Sequence, residues 1–449
     1  MAISRNVFIH DADRAALTAL KAIPGFTQVL KLFMKIWNEE NMHIRNMATK
    51  VRLSEEQLPE YYNMLPPICD KLGIDIPELY LELDPIANAY TTGDTKAAIT
   101  ITSGLLETIP EELLPTVLAH ECGHIACHHV LYTTMGMLIL NGALSSMSAN
   151  VANIAITPIS AAFAYWMRCS EYSADRAAIL CDGTPNKTFE ICMRLAGMDK
   201  DILHKANIDA FFNQAKEYKE LVGNNAFNKF RELYQFYQVD HPVHAVRAWE
   251  AKEWANSENF IKSKAFFDSY EAGSAPAELP ISWNEKHFTG RDYSEVEQEL
   301  IAFGFDNVDM VRNTDKSRFT KEGSVTAVTI AGSNKFKDAE WYPSDTSVVV
   351  TYYLPLSEEE IASMHPGEVK MPNAAKYYVG KKFGVVVQEL TELGFVNVVV
   401  EEIKDIKKAN DKGIGSVSML TIDKNPTFSK GDWKSDASEV KVFYHSLIE

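Results

Sequence analysis

Apolar residues in "DRAALTALKAIPGFTQVLKLFMKIW" recur every three or four positions, which predicts helix through residues 10–75. "SEEQLPEYYNMLPPICDKLG" opens another helix within that stretch, on a serine N-cap followed by acids. The period then changes. "ELYLEL" and "AAITIT" alternate or run in β-branched residues, as strands do, and "NAYTTGD" between them predicts a strand end entering a turn. Helical spacing resumes after Pro110, whose ring suits a first turn, and runs through "TVLAHECGHIACHHV", residues 116–130. "DILHKANIDAFFNQAKEYKELV", "AFNKFRELYQFY" and "VHAVRAWEAKEW" predict further helices. The pattern is that of a mainly helical domain with a small β-sheet.

At "AGSAPAELP" (272–280) small residues and prolines predict a linker. Beyond it the pattern repeats. "GRDYSEVEQELIAFGFDNVDMV" from Gly290 matches "GKKFGVVVQELTELGFVNVVVE" from Gly380, an offset of 90 residues. "GSVTAVTIAG" from Gly323 matches "GSVSMLTIDK" from Gly415, an offset of 92, so one copy carries a two-residue insertion. Phe336 and Trp341 then match Phe428 and Trp433. Each copy predicts one amphipathic helix and about three strands, an α+β unit. The predicted organisation is a first domain over 1–270, a linker over 271–288, repeat 1 over 289–356, a linker over 357–378 and repeat 2 over 379–449. The Gly…Leu-x-x-x-Gly-Phe helix and the closing valine-rich strand resemble the PASTA-like modules appended to many bacterial enzymes. The repeats are expected to act as a spacer or to dock an unidentified partner.

Composition narrows the picture. With 44 basic and 61 acidic residues the net charge is −17, which argues against nucleic-acid binding, since that needs a basic surface. The N-terminal stretch has acids by position 11 and no uninterrupted apolar core, so neither a signal peptide nor an anchor is expected there. The six cysteines all lie in the first 200 residues, unlike a secreted disulfide framework, and a cytoplasmic, reducing location is expected. One stretch complicates this. Residues 130–167 carry no charge over 38 positions, enough for a short membrane hairpin, although their asparagines, serines and Pro158 suit lipid poorly. A buried hairpin and a membrane-associated one both remain open.

The chemistry concentrates at His120-Glu121-Cys122-Gly123-His124, which fits H-E-x-x-H. Residues four apart stand on one helix face, so both imidazoles can reach one metal ion, with Glu121 turned toward a water on it. The extended motif with a third histidine fails, because that position is Val130. "MRCSEYSADRAAIL" offers Glu171 as third ligand instead, with Asp175 one turn on to take the spare N–H of a ligand histidine. His128 and His129 are expected to be hydrogen-bonded or surface residues, His129 pointing elsewhere, and Cys122 and Cys127 to be buried thiols.

Arg168-x-x-Glu171-x-x-Ala174-Asp175, "NAYTTG", the motif helix and "DHPVHAVRA" together resemble the HtpX and CAAX-prenyl-protease family of zinc metallopeptidases, over roughly residues 80–250. That resemblance implies a zincin (gluzincin) domain binding one Zn2+ per chain through His120, His124 and Glu171, with Glu121 activating water. It implies that Arg168 and Asp175 support the ligands. It places His241 at the oxyanion, although a cap on the following helix is an alternative reading of that histidine. Asn88, Ala89 and Tyr90 would line the cleft, where a peptide could join as an added strand. The expected function is a zinc-dependent metalloendopeptidase acting on protein substrates. The alternative is a non-catalytic zinc-bound scaffold whose repeats bind a partner.

Overall fold

The structure, a computed structural model, describes residues 2–140, 156–198, 202–223, 243–315, 321–408 and 411–448. They form two compact units, Met1–Arg312 with Gly323–Tyr352, and Asn313–Glu322 with Tyr353–Glu449.

In the first unit the predicted helical stretch divides into helices Asp11–Ala22, Phe26–Ile36, Glu39–Thr49, Pro59–Tyr62 and Leu65–Leu72. Val51–Leu53 departs from the prediction. It is a strand, β1, because it pairs antiparallel with β2 (Glu78–Glu82), setting Arg52 opposite Tyr80. Such a partner is invisible to local periodicity. β3 (Ala89–Thr92) and β4 (Ala98–Thr102) complete the sheet in the order β1-β2-β4-β3. β4 runs parallel to β2 and antiparallel to β3. Every position of β4 is buried, which accounts for its β-branched run, and β3 is left at the edge.

The motif helix, Leu114–Ala126, crosses the long helix Ile156–Asp182. Their separation is set by Gly123, where a Cβ would stand 2.7 Å from the Ala177 Cβ and 3.0 Å from the Ala174 Cα. Only a residue without a side chain permits this approach. Leu114, Leu118, Ile99, Ile101 and Ile179 fill the fully buried core beside the crossing. The helix Val130–Leu140 and the start of the long helix, the described parts of the uncharged stretch, bury Met135, Ile159, Phe163 and Trp166 against Leu20, Phe26 and Phe33. Among the described residues no helix is long and apolar enough to cross a membrane.

Each repeat has one helix and a three-stranded sheet. In the first, helix Tyr293–Phe303 accompanies strands Val308–Asn313, Val325–Ile330 and Val348–Tyr353, with the last of these in the centre. In the second, helix Phe383–Glu392 accompanies Val398–Ile406, Val417–Ile422 and Val440–Leu447 in the same order. The stretches expected as linkers each contain a strand. Glu278–Pro280 pairs with Trp341–Pro343, and Glu368–Lys370 pairs with Trp433–Ser435. The first repeat shares the apolar core of the helical domain, with the Trp341 ring 6.4 Å from that of Phe266.

Candidate metal centre

His120 and His124 lie one turn apart on the motif helix, and Glu171 reaches them from the long helix across the Gly123 crossing. The two histidine Nε2 atoms are 3.3 Å apart. The Glu171 carboxylate straddles them, with Oε2 3.4 Å from His120 Nε2 and Oε1 3.4 Å from His124 Nε2. These residues are the group of potential metal donors found among the described residues. The spacing tests whether they fit zinc. Donors about 2.0–2.1 Å from a tetrahedral ion stand about 3.3–3.4 Å from one another. The histidine pair meets that spacing, each histidine meets it with a different oxygen of Glu171, and the three donor groups lie within 4.8 Å of one another. Exposures of 7%, 9% and 7% for His120, His124 and Glu171 leave room for only a narrow approach from solvent.

Buried groups orient each ligand from behind. His120 Nδ1 lies 3.0 Å from Asp175 Oδ1. Arg247, on the helix His244–Ala255, donates from Nε to Asp175 Oδ2 at 2.8 Å and from Nη2 to Oδ1 at 2.6 Å, with Nη1 3.3 Å from Glu171 Oε2. This fork links both carboxylates to one cation. Burial alone would push the His120 imidazole down, but the hydrogen bonds and charges of Asp175 and Glu171 outweigh it and raise its pKa to about 9. Burial likewise opposes ionisation of Asp175, yet Arg247 and then His120 hold its carboxyl down at about 2. Burial lowers His124. His124 is backed differently: its Nδ1 meets His129 Nδ1 at 3.0 Å.

Glu121 is 2% exposed and accepts a hydrogen bond from Thr91 Oγ1 at Oε2, 2.7 Å away. The chain here forms a cavity of about 410 Å3, lined on its polar side by His120, Glu121, Asp175 and Arg247 and on its apolar side by Leu105, Val117, Ile191 and Leu195. Asn88 and Ala89 also line it.

Of the residues singled out from sequence, His120, Glu121, His124, Glu171, Asp175, Asn88 and Ala89 therefore come together. Tyr90 does not. It pairs with Thr100 on β4, and its hydroxyl donates to Glu82 at 2.5 Å and accepts from Lys50 Nζ at 2.8 Å, while the next residue, Thr91, is the one that meets Glu121. Strand alternation separates the two side chains. Arg168 is buried one turn before Glu171, its guanidinium 5.8 Å from the Tyr165 ring. His241 lies outside the described residues. Cys122 and Cys127 are buried free thiols, as expected, and His128 is exposed. His129 is hydrogen-bonded, one of the two expected alternatives, and it turns inward at 1% exposure. Arg247 was legible within "DHPVHAVRA" as an arginine but without a role, and Thr91 stood unremarked inside "NAYTTG".

Two histidines and a glutamate on crossed helices, with a second glutamate beside an open cavity, define the metallopeptidase class. The profile described as Peptidase family M48 matches residues 64–255. The plastoglobule-localized metallopeptidase 48 of Arabidopsis thaliana is 32% identical over 252 residues, covering 56% of this chain and 72% of its own length. A protease HtpX homolog of Ralstonia nicotianae is 26% identical over 176 residues, which span 34% of this chain and 61% of that relative. The crystal structure of Ste24p from S. mikatae aligns at 16% identity over 56% of this chain and 67% of that one, with a TM-score of 0.25. The chain belongs to peptidase family M48, whose members are zinc-dependent metallopeptidases.

Proposed function

We propose that the chain is a metalloendopeptidase in which His120, His124 and Glu171 hold a single zinc ion and Glu121 is the general base. The observation that carries this reading is the convergence of three donor groups, the two histidine Nε2 atoms 3.3 Å apart and each 3.4 Å from its own oxygen of the Glu171 carboxylate. When bound, zinc supplies a Lewis acid that polarises the scissile carbonyl and acidifies water. The remaining chemistry belongs to side chains. Thr91 occupies Glu121 Oε2, so Oε1 is the atom that takes a proton from the attacking water and passes it to the leaving amine. Asp175 and Arg247 keep His120 turned with Nε2 toward Glu171 and His124. His241, three residues before the helix that carries Arg247, is assigned to the oxyanion on the motif "DHPVHAVRA".

The edge strand β3 offers its outer side to an extended peptide, which would join the sheet beside Asn88 and Ala89. The apolar wall of Leu105, Val117, Ile191 and Leu195 would receive an apolar side chain of that peptide. Protein substrates are thus the partners of this site, and the repeats are surfaces for docking a further protein. Six free cysteines favour a reducing compartment such as the cytoplasm.

The test is Glu121→Gln, which preserves shape and the acceptor for Thr91 but removes the base. Zinc content should match wild type while cleavage of casein falls by roughly 10²–10⁴. Undiminished turnover would remove Glu121 from the mechanism, and a wild-type chain without zinc would remove the metal site.

A further inference from the structure

Behind His124, at the ring nitrogen that does not face Glu171, lies a second chain of buried polar groups. His129 Nδ1 is 3.0 Å from His124 Nδ1, and His129 Nε2 is 2.8 Å from Asp13 Oδ2. Asp13 belongs to the helix Asp11–Ala22, and it also accepts from Trp166 Nε1 at 2.8 Å and from Ser173 Oγ at 2.6 Å. Asp13, His129, Trp166 and Ser173 are each at most 1% exposed. A group of four such polar side chains this deep is costly unless every donor meets an acceptor.

Counting donors determines where the protons are. Trp166 Nε1–H can only donate. The Ser173 hydroxyl accepts the His10 N–H at 3.0 Å, so its own proton goes to Asp13. Asp13 is therefore an acceptor toward both, as an ionised carboxylate, and His129 Nε2 carries the proton between them. A His124 that presents the Nε2 lone pair to a metal must hold its proton on Nδ1. Among the described residues the acceptor that proton meets is His129 Nδ1. Both rings are then neutral, and the polarity runs from His124 through His129 to Asp13.

The backbone is built for this. The motif helix ends at Ala126, and His128 adopts the left-handed conformation, φ 56°, as the residue that closes a Schellman turn usually does. The His129 N–H then returns to the His124 carbonyl at 2.9 Å, which brings the His129 ring beneath that of His124. A histidine in a conformation that favours glycine is strained, and the turn it makes is what delivers His129.

We propose that His129 and Asp13 are positioning residues for the metal centre: they fix the His124 tautomer that leaves Nε2 free to bind zinc. The inference rests on the metal site proposed above. It also makes the helix Asp11–Ala22 part of the centre. His120 is oriented by a carboxylate directly, His124 by a carboxylate acting through an imidazole.

The test is zinc affinity of the full chain, measured by competition with a chromogenic chelator, beside far-UV circular dichroism and thermal unfolding of the metal-free proteins. His129→Phe keeps a ring but neither hydrogen bond, and should bind zinc about 10- to 100-fold more weakly. His129→Gln offers an acceptor oxygen toward His124 and an amide donor toward Asp13, and should stay within about threefold of wild type, since it repeats both hydrogen bonds. Equal affinity for His129→Phe and wild type overturns the proposal. If His129→Phe does not fold, His129→Gln decides: a tenfold loss in a chain that unfolds like wild type overturns it. Absence of zinc binding in wild type, or binding unaffected by His124→Ala, overturns the metal-site reading itself. A histidine nitrogen spectrum of the zinc-loaded protein should show His129 protonated at Nε2 and bare at Nδ1, and the reverse refutes the relay.

Discussion

Replacing Gly123 by alanine puts one methyl group where the two catalytic helices touch. Its Cβ would lie 2.7 Å from the Ala177 Cβ, 3.0 Å from the Ala174 Cα and 3.2 Å from the Ala174 carbonyl oxygen. Carbon atoms prefer separations of about 3.5–4.0 Å, so the helices must part by roughly 1 Å at the crossing. Two of the three obstacles are backbone, which cannot rotate aside. Overpacking of this kind costs about 1–3 kcal/mol, and alanine's better helix propensity returns about 1 kcal/mol. The fold should therefore survive with a loss of roughly 0–2 kcal/mol.

The metal centre should suffer more. Ala174 is one residue from Asp175 and three from Glu171, so the movement carries both carboxylates away from the histidines. The donor edges of 3.4 Å would lengthen toward values that no ion spans, since metal–ligand distances tolerate about 0.2 Å. Zinc affinity should fall by about tenfold or more, with hydrolysis reduced about a hundredfold, as for other misplacements near 1 Å. Chelator competition and cleavage of a labelled peptide measure the two losses, and thermal unfolding of the metal-free chain measures stability. Affinity and turnover both within twofold of wild type would refute the claim that this contact sets the ligand geometry.

Other substitutions probe the surrounding groups. Thr91→Val keeps shape but removes the hydrogen bond to Glu121 and should lower kcat about tenfold, the worth of one bond to a charged group, at unchanged zinc content. Steady-state kinetics with KM reported separately decides it, and a change confined to KM refutes it. Arg247→Met leaves the Asp175 and Glu171 carboxylates buried without their cation and should destabilise the metal-free chain by about 3–5 kcal/mol, with zinc restoring part of the loss. Urea unfolding with and without zinc checks both statements. Asp13 and Asp175 titrate below the ordinary 3.8, Asp175 at about 2. For groups depressed in this way the stabilisation is complete above 3.8 and is lost as pH falls toward those folded-state values. Asp13→Asn should therefore flatten the acid limb of a stability–pH curve below about pH 4, and a limb as steep as wild type's would count against the assignment.

Much of the centre was legible because its residues are close in sequence or follow helical spacing. His120 and His124 stand on one helix face by periodicity alone, and Glu171 with Asp175 repeats that spacing on the partner helix. Strand alternation was visible too, but not which face of β3 turns inward. Tyr90 looked the more functional residue, yet it faces Lys50 and Glu82 while Thr91 meets Glu121. Short strands went unseen wherever their partner is remote. Val51–Leu53, Glu278–Pro280 and Glu368–Lys370 have no pattern of their own and exist because another segment pairs with them.

The sequence by itself determined the main helices, the internal repeat and the set of groups that could ligate a metal, because each depends on spacing along a regular element. Tertiary structure alone decided how those groups are supported. His129, Trp166 and Ser173 converge on Asp13, and Arg247 converges on Asp175 and Glu171, from segments remote in the chain. What places them together is burial. Each polar group taken from water had to find its partner, and only the packed chain determines which partner is within reach.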